Sequence, residues 1–140
     1  MILADSGFWI ALGSQRDRHH AAARDALSRF GREGFVSTWP VLTEVTHLLS
    51  SRVDPSSAIA FIDSVAQGAC AIPDPPADAL FRAHALMNRY RDLPMDLADA
   101  SLVILAEDRE DGRILSTDLR DFHGYRWKNT RPFTNLLLTA

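Results

Sequence analysis

The chain is short of the residues that most often advertise a function. It has one cysteine, Cys70, in 140 residues, so no internal disulfide can form, and a reducing compartment, the cytoplasm, is the expectation. Cys70 stands between Ala69 and Ala71, where a small buried hydrophobe is the simplest reading. No apolar run approaches the roughly 18 residues that cross a bilayer, so no membrane contact is expected. The opening Met1-Ile2-Leu3-Ala4-Asp5 has neither a basic stretch nor a long apolar core and does not read as a signal peptide. Zinc-binding spacing is missing too: His19 and His20 are adjacent, and His47, His84 and His123 are isolated, so the histidines read as surface or packing residues. Lysine is almost absent. Lys128 stands alone beside fourteen arginines; the planar guanidinium suits phosphate, although a codon bias gives the same count. No repeat, low-complexity tract or linker divides the chain, and a single domain over residues 1–140 is expected.

What is present is a core and an alternation. At 46% hydrophobic the chain can bury a proper core. Its net charge of -3 neither advertises nor excludes nucleic acid, because local patches matter more than the total. Strands are expected over residues 2–5, 35–37, 69–72, 113–117 and 134–138. Helices are expected over 7–12, 18–30 with Asp17 as N-cap, 39–51 with Thr38 as cap and Pro40 in the first turn, 54–66, 77–90 and 97–108. Strands separated by helices imply an α/β fold, a parallel sheet with helices on both faces. The 97–108 segment is apolar nearly all round and should lie at the centre.

Two of the expected strands end alike, as Ile2-Leu3-Ala4-Asp5-Ser6 and Ile114-Leu115-Ser116-Thr117-Asp118. If both are parallel, both carboxylates emerge at the carboxyl edge of one sheet, where open α/β folds place ligands. Two further acids sit inside apolar helical patterns. Asp99 shares a face with Leu102, Val103 and Ala106, and Glu44 lies beside Val41 and Leu48. Each acid alone has an ordinary explanation: an Asx turn for Asp5, helix capping for Asp96 and Asp118, a boundary position for Glu44. Gathered together they are costly, since carboxylates about 5 Å apart repel by roughly 3 kcal/mol at an effective dielectric near 20. Such a set protonates or recruits a cation, and all-oxygen ligands suit Mg²⁺ or Mn²⁺ rather than zinc. That chemistry points to phosphodiester hydrolysis, with the Ser6 and Thr117 hydroxyls orienting the carboxylates or water.

The motifs Ile2-Leu3-Ala4-Asp5-Ser6-Gly7, Asp17-Arg18-His19-His20, Ser37-Thr38-Trp39-Pro40-Val41-Leu42-Thr43-Glu44, Asp96-Leu97-Ala98-Asp99-Ala100 and Ser116-Thr117-Asp118-Leu119-Arg120-Asp121-Phe122 carry a resemblance in their order and spacing. The chain resembles the PIN-domain nucleases over nearly its whole length, especially the VapC-like toxin ribonucleases of bacterial toxin–antitoxin pairs. The resemblance implies a three-layer α/β/α fold with a five-stranded parallel sheet, and a metal-dependent endoribonuclease using Mg²⁺ or Mn²⁺. It makes Asp5, Glu44, Asp99 and Asp118 the catalytic quartet, with Asp5, Asp99 and Asp118 as metal ligands. Asp96 and Asp121 become auxiliary. It also implies a homodimer and a small antitoxin that occludes the site, often with an arginine among the acids. One departure is Gly7, where many members carry serine or asparagine.

For holding RNA, Arg120, Arg126, Lys128 and Arg131 form a basic stretch after Asp118, and Arg16, Arg18 and Arg24 flank the earlier motifs. Trp127 is the tryptophan offered for base stacking, while Trp9 and Trp39 read as packing. Two other functions remain open: a non-catalytic RNA- or protein-binding module, and a phosphotransferase forming an aspartyl phosphate. The latter needs a lysine near the later acids, and Lys128 lies ten residues beyond Asp118.

Overall fold

The computed structural model describes residues 1–138. Its elements run β1 (Ile2–Ala4), α1 (Ser6–Gly13), α2 (His20–Phe30), β2 (Phe35–Val36), α3 (Trp39–Arg52), α4 (Pro55–Ala66), α5 (Ala79–Arg89), α6 (Leu97–Arg109), β3 (Arg113–Leu115), α7 (Leu119–Gly124), β4 (Arg126–Trp127), β5 (Arg131–Pro132) and β6 (Thr134–Asn135). The architecture is a three-layer α/β/α sandwich around a parallel sheet with strand order β2-β1-β3-β6.

The sheet has four strands where five are expected. The segment 69–72 contributes only a bridge, Val36 to Ala71, made by Ser37 N donating to Ala71 O at 2.9 Å and Ala71 N donating to Phe35 O at 2.9 Å. Its neighbours explain the shortness. Gly68 turns the chain with φ 102° just before it, and Pro73, Pro75 and Pro76 follow, where a missing N–H cannot extend a ladder. A β4–β5 antiparallel hairpin appears instead, outside the main sheet.

The strand order positions the site. From β1 the chain crosses to β2 on one side and later to β3 on the other. The crossovers therefore diverge at the carboxyl ends of β1 and β3, which leaves a crevice there. Asp5 N extends the pairing by donating to Leu115 O at 3.0 Å, so Asp5 stands at that crevice as the first residue beyond β1. Helix α6 is central, as its composition requires: Ala98, Ala100, Leu102, Val103, Ile104 and Ala106 are all buried. It begins at the same edge, and α3 packs on both α1 and α6.

Three helices start as their cap residues dictate. Thr38 Oγ1 accepts from Val41 N at 3.5 Å, Asp54 Oδ1 from Ser57 N at 2.8 Å and Asp96 Oδ1 from Asp99 N at 2.8 Å. Asp17 differs. It accepts from His19 N at 2.8 Å, and α2 starts only at His20. Among the described residues no helix is long and apolar enough to cross a membrane.

Candidate active site

Asp5 is 6% exposed. Its Oδ1 accepts from Ser6 N at 2.7 Å, capping α1, and its Oδ2 accepts from the Ser116 hydroxyl at 2.9 Å. Burial pushes its pKa up to about 6 against the lowering effect of these bonds, and the charges of Glu44 and Asp118 push the same way. Ser6 also donates its hydroxyl to Glu44 Oε1, which ties the first turn of α1 to the second turn of α3. Thr38 pins the start of α3 to α6 through Ser101 Oγ at 2.6 Å.

Asp99 occupies the third position of α6, half-buried. Burial pushes its pKa up to about 8, and the charges of Asp96 and Asp5 add to the rise. The Tyr125 hydroxyl donates to its Oδ2 at 3.0 Å. Asp118 caps α7, accepting from Asp121 N at 3.0 Å. Asp121 in turn is raised to about 6, by burial first and then by Asp118. Its Oδ1 is buried without a hydrogen-bond partner, and the Arg120 guanidinium stands 3.6 Å away.

The hydrogen bonds of Ser6 and Ser116 and the caps of α6 and α7, with the reach of Asp99 to Asp5, gather Asp5, Glu44, Asp96, Asp99, Asp118 and Asp121 at the carboxyl edge of the sheet. Among the described residues no ion pair reaches Asp5, Glu44, Asp96, Asp99 or Asp118. Nor are three acidic, imidazole or thiol groups gathered there into a ready-made chelate. Like charges stand apart until a cation draws them together. The donors are all oxygens and carry excess negative charge, and beside them the Asp121 Oδ1 is buried with no partner. That set fits a hard divalent ion.

The hydroxyl roles differ from the sequence expectation. Ser6 does touch two of the acids, whereas the Thr117 side chain faces Gly7. Ser116, fully buried, orients Asp5 and also accepts from Asp118 N at 3.0 Å. Asn135 of β6 holds the Ser116 backbone in place, its Nδ2 donating to Ser116 O at 2.9 Å and its Oδ1 accepting from Ser116 N at 3.3 Å. The signal for Ser116 was the S-x-D spacing, since a serine hydroxyl commonly accepts from the N–H two residues on. Tyr125 and Asn135 had no sequence signal.

The basic stretch divides. Arg120 is exposed beside Asp121. Arg126 donates to the His123 and Tyr125 carbonyls, both at 2.9 Å, and Arg131 lies over the Trp127 ring at 5.1 Å. Lys128 pairs with Glu110, and its N–H donates to Glu107. Those acids belong to the far end of the 13-residue α6, about 20 Å along its axis from Asp96. The one lysine therefore lies away from the crevice. Trp127 is buried, its indole N–H donating to Pro132 O at 3.1 Å, while Trp39 is 64% exposed. Their burial is the reverse of the expectation. Trp39 opens α3 beyond the reach of its apolar stripe, and Gly112, lacking a β-carbon, admits the Trp127 indole. His20 binds the Ala11 carbonyl at 2.7 Å, a packing role.

A family model described as PIN domain matches residues 2–128. Ribonuclease VapC26 of Mycobacterium tuberculosis (strain ATCC 25618 / H37Rv) is 26% identical over 125 residues, covering 89% of this chain and 92% of the relative. Among solved structures, Mycobacterium tuberculosis VapC20, a Sarcin-Ricin loop cleaving toxin, superposes with a TM-score of 0.79 at 22% identity, covering 94% of this chain and all of that one. VapBC2 from Rickettsia felis, bound to a DNA fragment from its promoter, gives 0.62 at 12% identity over 86% of this chain and 90% of the other.

Proposed function

The chain belongs to the PIN-domain family, and from that premise we propose that it is a metal-dependent endoribonuclease, the toxin of a toxin–antitoxin pair. The observation that carries the reading is the crevice at the ends of β1 and β3. Acids from four separate stretches lie within electrostatic reach of one another there, and among the described residues no ion pair reaches Asp5, Glu44, Asp99 or Asp118. The ribonuclease relative and the VapC20 likeness support the choice of RNA as substrate.

In this reading Asp5, Asp99 and Asp118 would hold Mg²⁺ or Mn²⁺. When bound, the ion supplies the charge that lowers the pKa of water and offsets the phosphate. The chain's own residues do the rest. Ser116 and Ser6 fix the Asp5 and Glu44 carboxylates before substrate arrives. Glu44, outside the ligand set, accepts a proton from the attacking water. Asp96 and Asp121 deepen the negative potential, and Arg120 and Arg126 meet phosphates beside the scissile one.

Two partners complete the proposal. The Rickettsia felis assembly supports a paired antitoxin, whose arginine would neutralise the crevice. A homodimer is supported by the exposure of Trp39, Leu80, Phe81 and Leu97; three of these, Trp39, Leu80 and Leu97, line an apolar groove of about 540 Å³. Patches of this kind mark interaction sites.

The test is cleavage of structured RNA, beginning with a sarcin–ricin-type hairpin, in Mg²⁺ or Mn²⁺. Activity should stop with EDTA and return with added ion. Chelator-insensitive cleavage defeats the metal reading. Binding of RNA with no cleavage in either ion favours the non-catalytic module instead.

A further inference from the structure

Among the described residues Tyr125 is the largest fully buried side chain, yet its hydroxyl is spent on an acid at the rim of the crevice. The residue follows α7 directly, as its C-cap. Its ring packs edge-on against Tyr90 at 5.2 Å and Phe122 at 5.3 Å. These contacts fix where the hydroxyl points. Two acceptors face it, Asp99 Oδ2 at 3.0 Å and Leu93 O at 3.4 Å. A phenol has one hydrogen to give, and the shorter bond to the charged acceptor is the stronger.

The consequence is a choice between two acids on the same helix. Asp96 is exposed and uses Oδ1 to cap α6. Asp99 makes no cap of its own. Its side chain would swing freely about χ1 and χ2 if nothing outside α6 held it. The Tyr125 bond takes one oxygen and leaves the other for the crevice. It also joins ligands from different elements, because α7 opens on Asp118 and closes on Tyr125. We propose that Tyr125 is a positioning residue, holding the Asp99 carboxylate, in register with Asp118, in the orientation that receives a divalent cation. This rests on the reading of the crevice as a metal site, and extends it to a residue that belongs to none of its acidic motifs.

The experiment measures Mn²⁺ affinity by titration calorimetry and by the loss of the free-ion signal in electron paramagnetic resonance. It uses the full chain as wild type, Tyr125→Phe and Tyr90→Phe. Phenylalanine keeps the ring and removes only the hydroxyl. Tyr90 is the control: its hydroxyl accepts from Arg126 N at 3.1 Å in the same aromatic cluster but touches none of the acids. Tyr125→Phe should weaken Mn²⁺ binding roughly tenfold, the scale of outer partners of metal ligands. Tyr90→Phe should leave it unchanged. RNA cleavage by Tyr125→Phe should be deficient at low Mn²⁺ and recover at saturation, which a packing defect would not do. Asp99→Asn/Tyr125→Phe should bind no worse than Asp99→Asn alone, and the urea midpoint of each variant separates loss of folding from loss of affinity. Equal affinity in wild type and Tyr125→Phe overturns the positioning role alone, as does equal weakening by both tyrosine variants. A wild-type protein that binds no Mn²⁺ overturns the metal-site reading itself, and this inference with it.

Discussion

Thr117 fills the space that a side chain at position 7 would need. A β-carbon on Gly7 would lie 1.9 Å from Thr117 Oγ1, 3.0 Å from its Cβ and 3.2 Å from its Cγ2. The absence of a side chain lets the first turn of α1 close against the turn that carries Asp118, so both strand-end acids face one crevice. Gly7→Ala should therefore destabilise the fold by about 1–3 kcal/mol, the usual cost of overpacking. It should do so although alanine is the better helix former by about 1 kcal/mol. In a Thr117→Gly background the same change should become neutral or favourable. Urea midpoints of the four proteins decide the matter.

The raised acids predict how the metal-free protein responds to pH. Asp5 and Asp99 titrate near 6 and 8 in the folded chain, above the ordinary carboxylate value near 4 of the unfolded one. A group whose folded pKa is raised favours folding while protonated, and that contribution is lost as pH rises through the folded value. In EDTA the melting temperature should thus fall between about pH 5 and pH 8.5 as these two carboxyls ionise. Asp99→Asn should flatten the upper part of the curve. Mn²⁺ should restore more stability at pH 8 than at pH 5.5, because protons and ion compete for the same oxygens. A metal-free protein that gains stability across that range contradicts the assignment.

Much of this was legible in the sequence, and the exceptions have identifiable causes. The alternation of strands and helices follows from periodicity and local cap chemistry, which are short-range properties, whereas the choice of Asp5, Glu44, Asp99 and Asp118 as a set rests on the resemblance to the PIN-domain nucleases. The third strand was overcounted because Ala69 to Ile72 has strand composition, while Gly68 and Pro73 confine its pairing to one residue. The β4–β5 hairpin was missed because its three-residue loop contains no glycine. Lys128 and Asn129 adopt φ of 48° and 65° there, and lysine gives no hint of a left-handed backbone. The burial of Trp127 turns on its close approach to Gly112, and the exposure of Trp39 on its place at the first position of α3. Both are tertiary facts that no window of sequence contains.

Removing one acid separates function from structure. Asp5→Asn keeps an oxygen to cap Ser6 N and relieves a buried charge that Glu44 and Asp118 oppose. The metal-free melting temperature should stay level or rise. RNA cleavage should fall by more than the roughly 10- to 100-fold typical of losing an outer-sphere partner. A large drop in stability in EDTA would mean that Asp5 is held for its hydrogen bonds alone.

Ser116 should behave in the opposite way. Its hydroxyl serves the buried Asp5 Oδ2 and Asp118 N together, so Ser116→Ala strands an acceptor and a donor. The buried Asp5 acceptor left unsatisfied costs about 1–3 kcal/mol. The variant should unfold at lower urea than wild type, with metal affinity reduced as well. Thr117→Ser, which keeps a hydroxyl at the position that makes neither contact, should leave metal affinity within twofold.

The two ends of α6 predict which cations touch RNA. Arg120 is exposed next to Asp121 at the crevice, and its 3.6 Å approach to that carboxylate is a surface pairing that holds it weakly. Lys128 is committed to Glu110 at the opposite end. In an Asp5→Asn protein, which binds substrate without cutting it, Arg120→Ala should weaken RNA binding. It should also lower the slope of log affinity against log salt by about 0.7, the share of one phosphate on a single strand. Lys128→Ala should change neither quantity, because a charge about 20 Å away is beyond the screening length of about 8 Å at physiological salt. Fluorescence anisotropy across a salt series reads both numbers. If Lys128→Ala shifts the slope and Arg120→Ala does not, RNA lies along the β4–β5 hairpin instead of the carboxyl edge of the sheet, and the crevice is not where the strand is held.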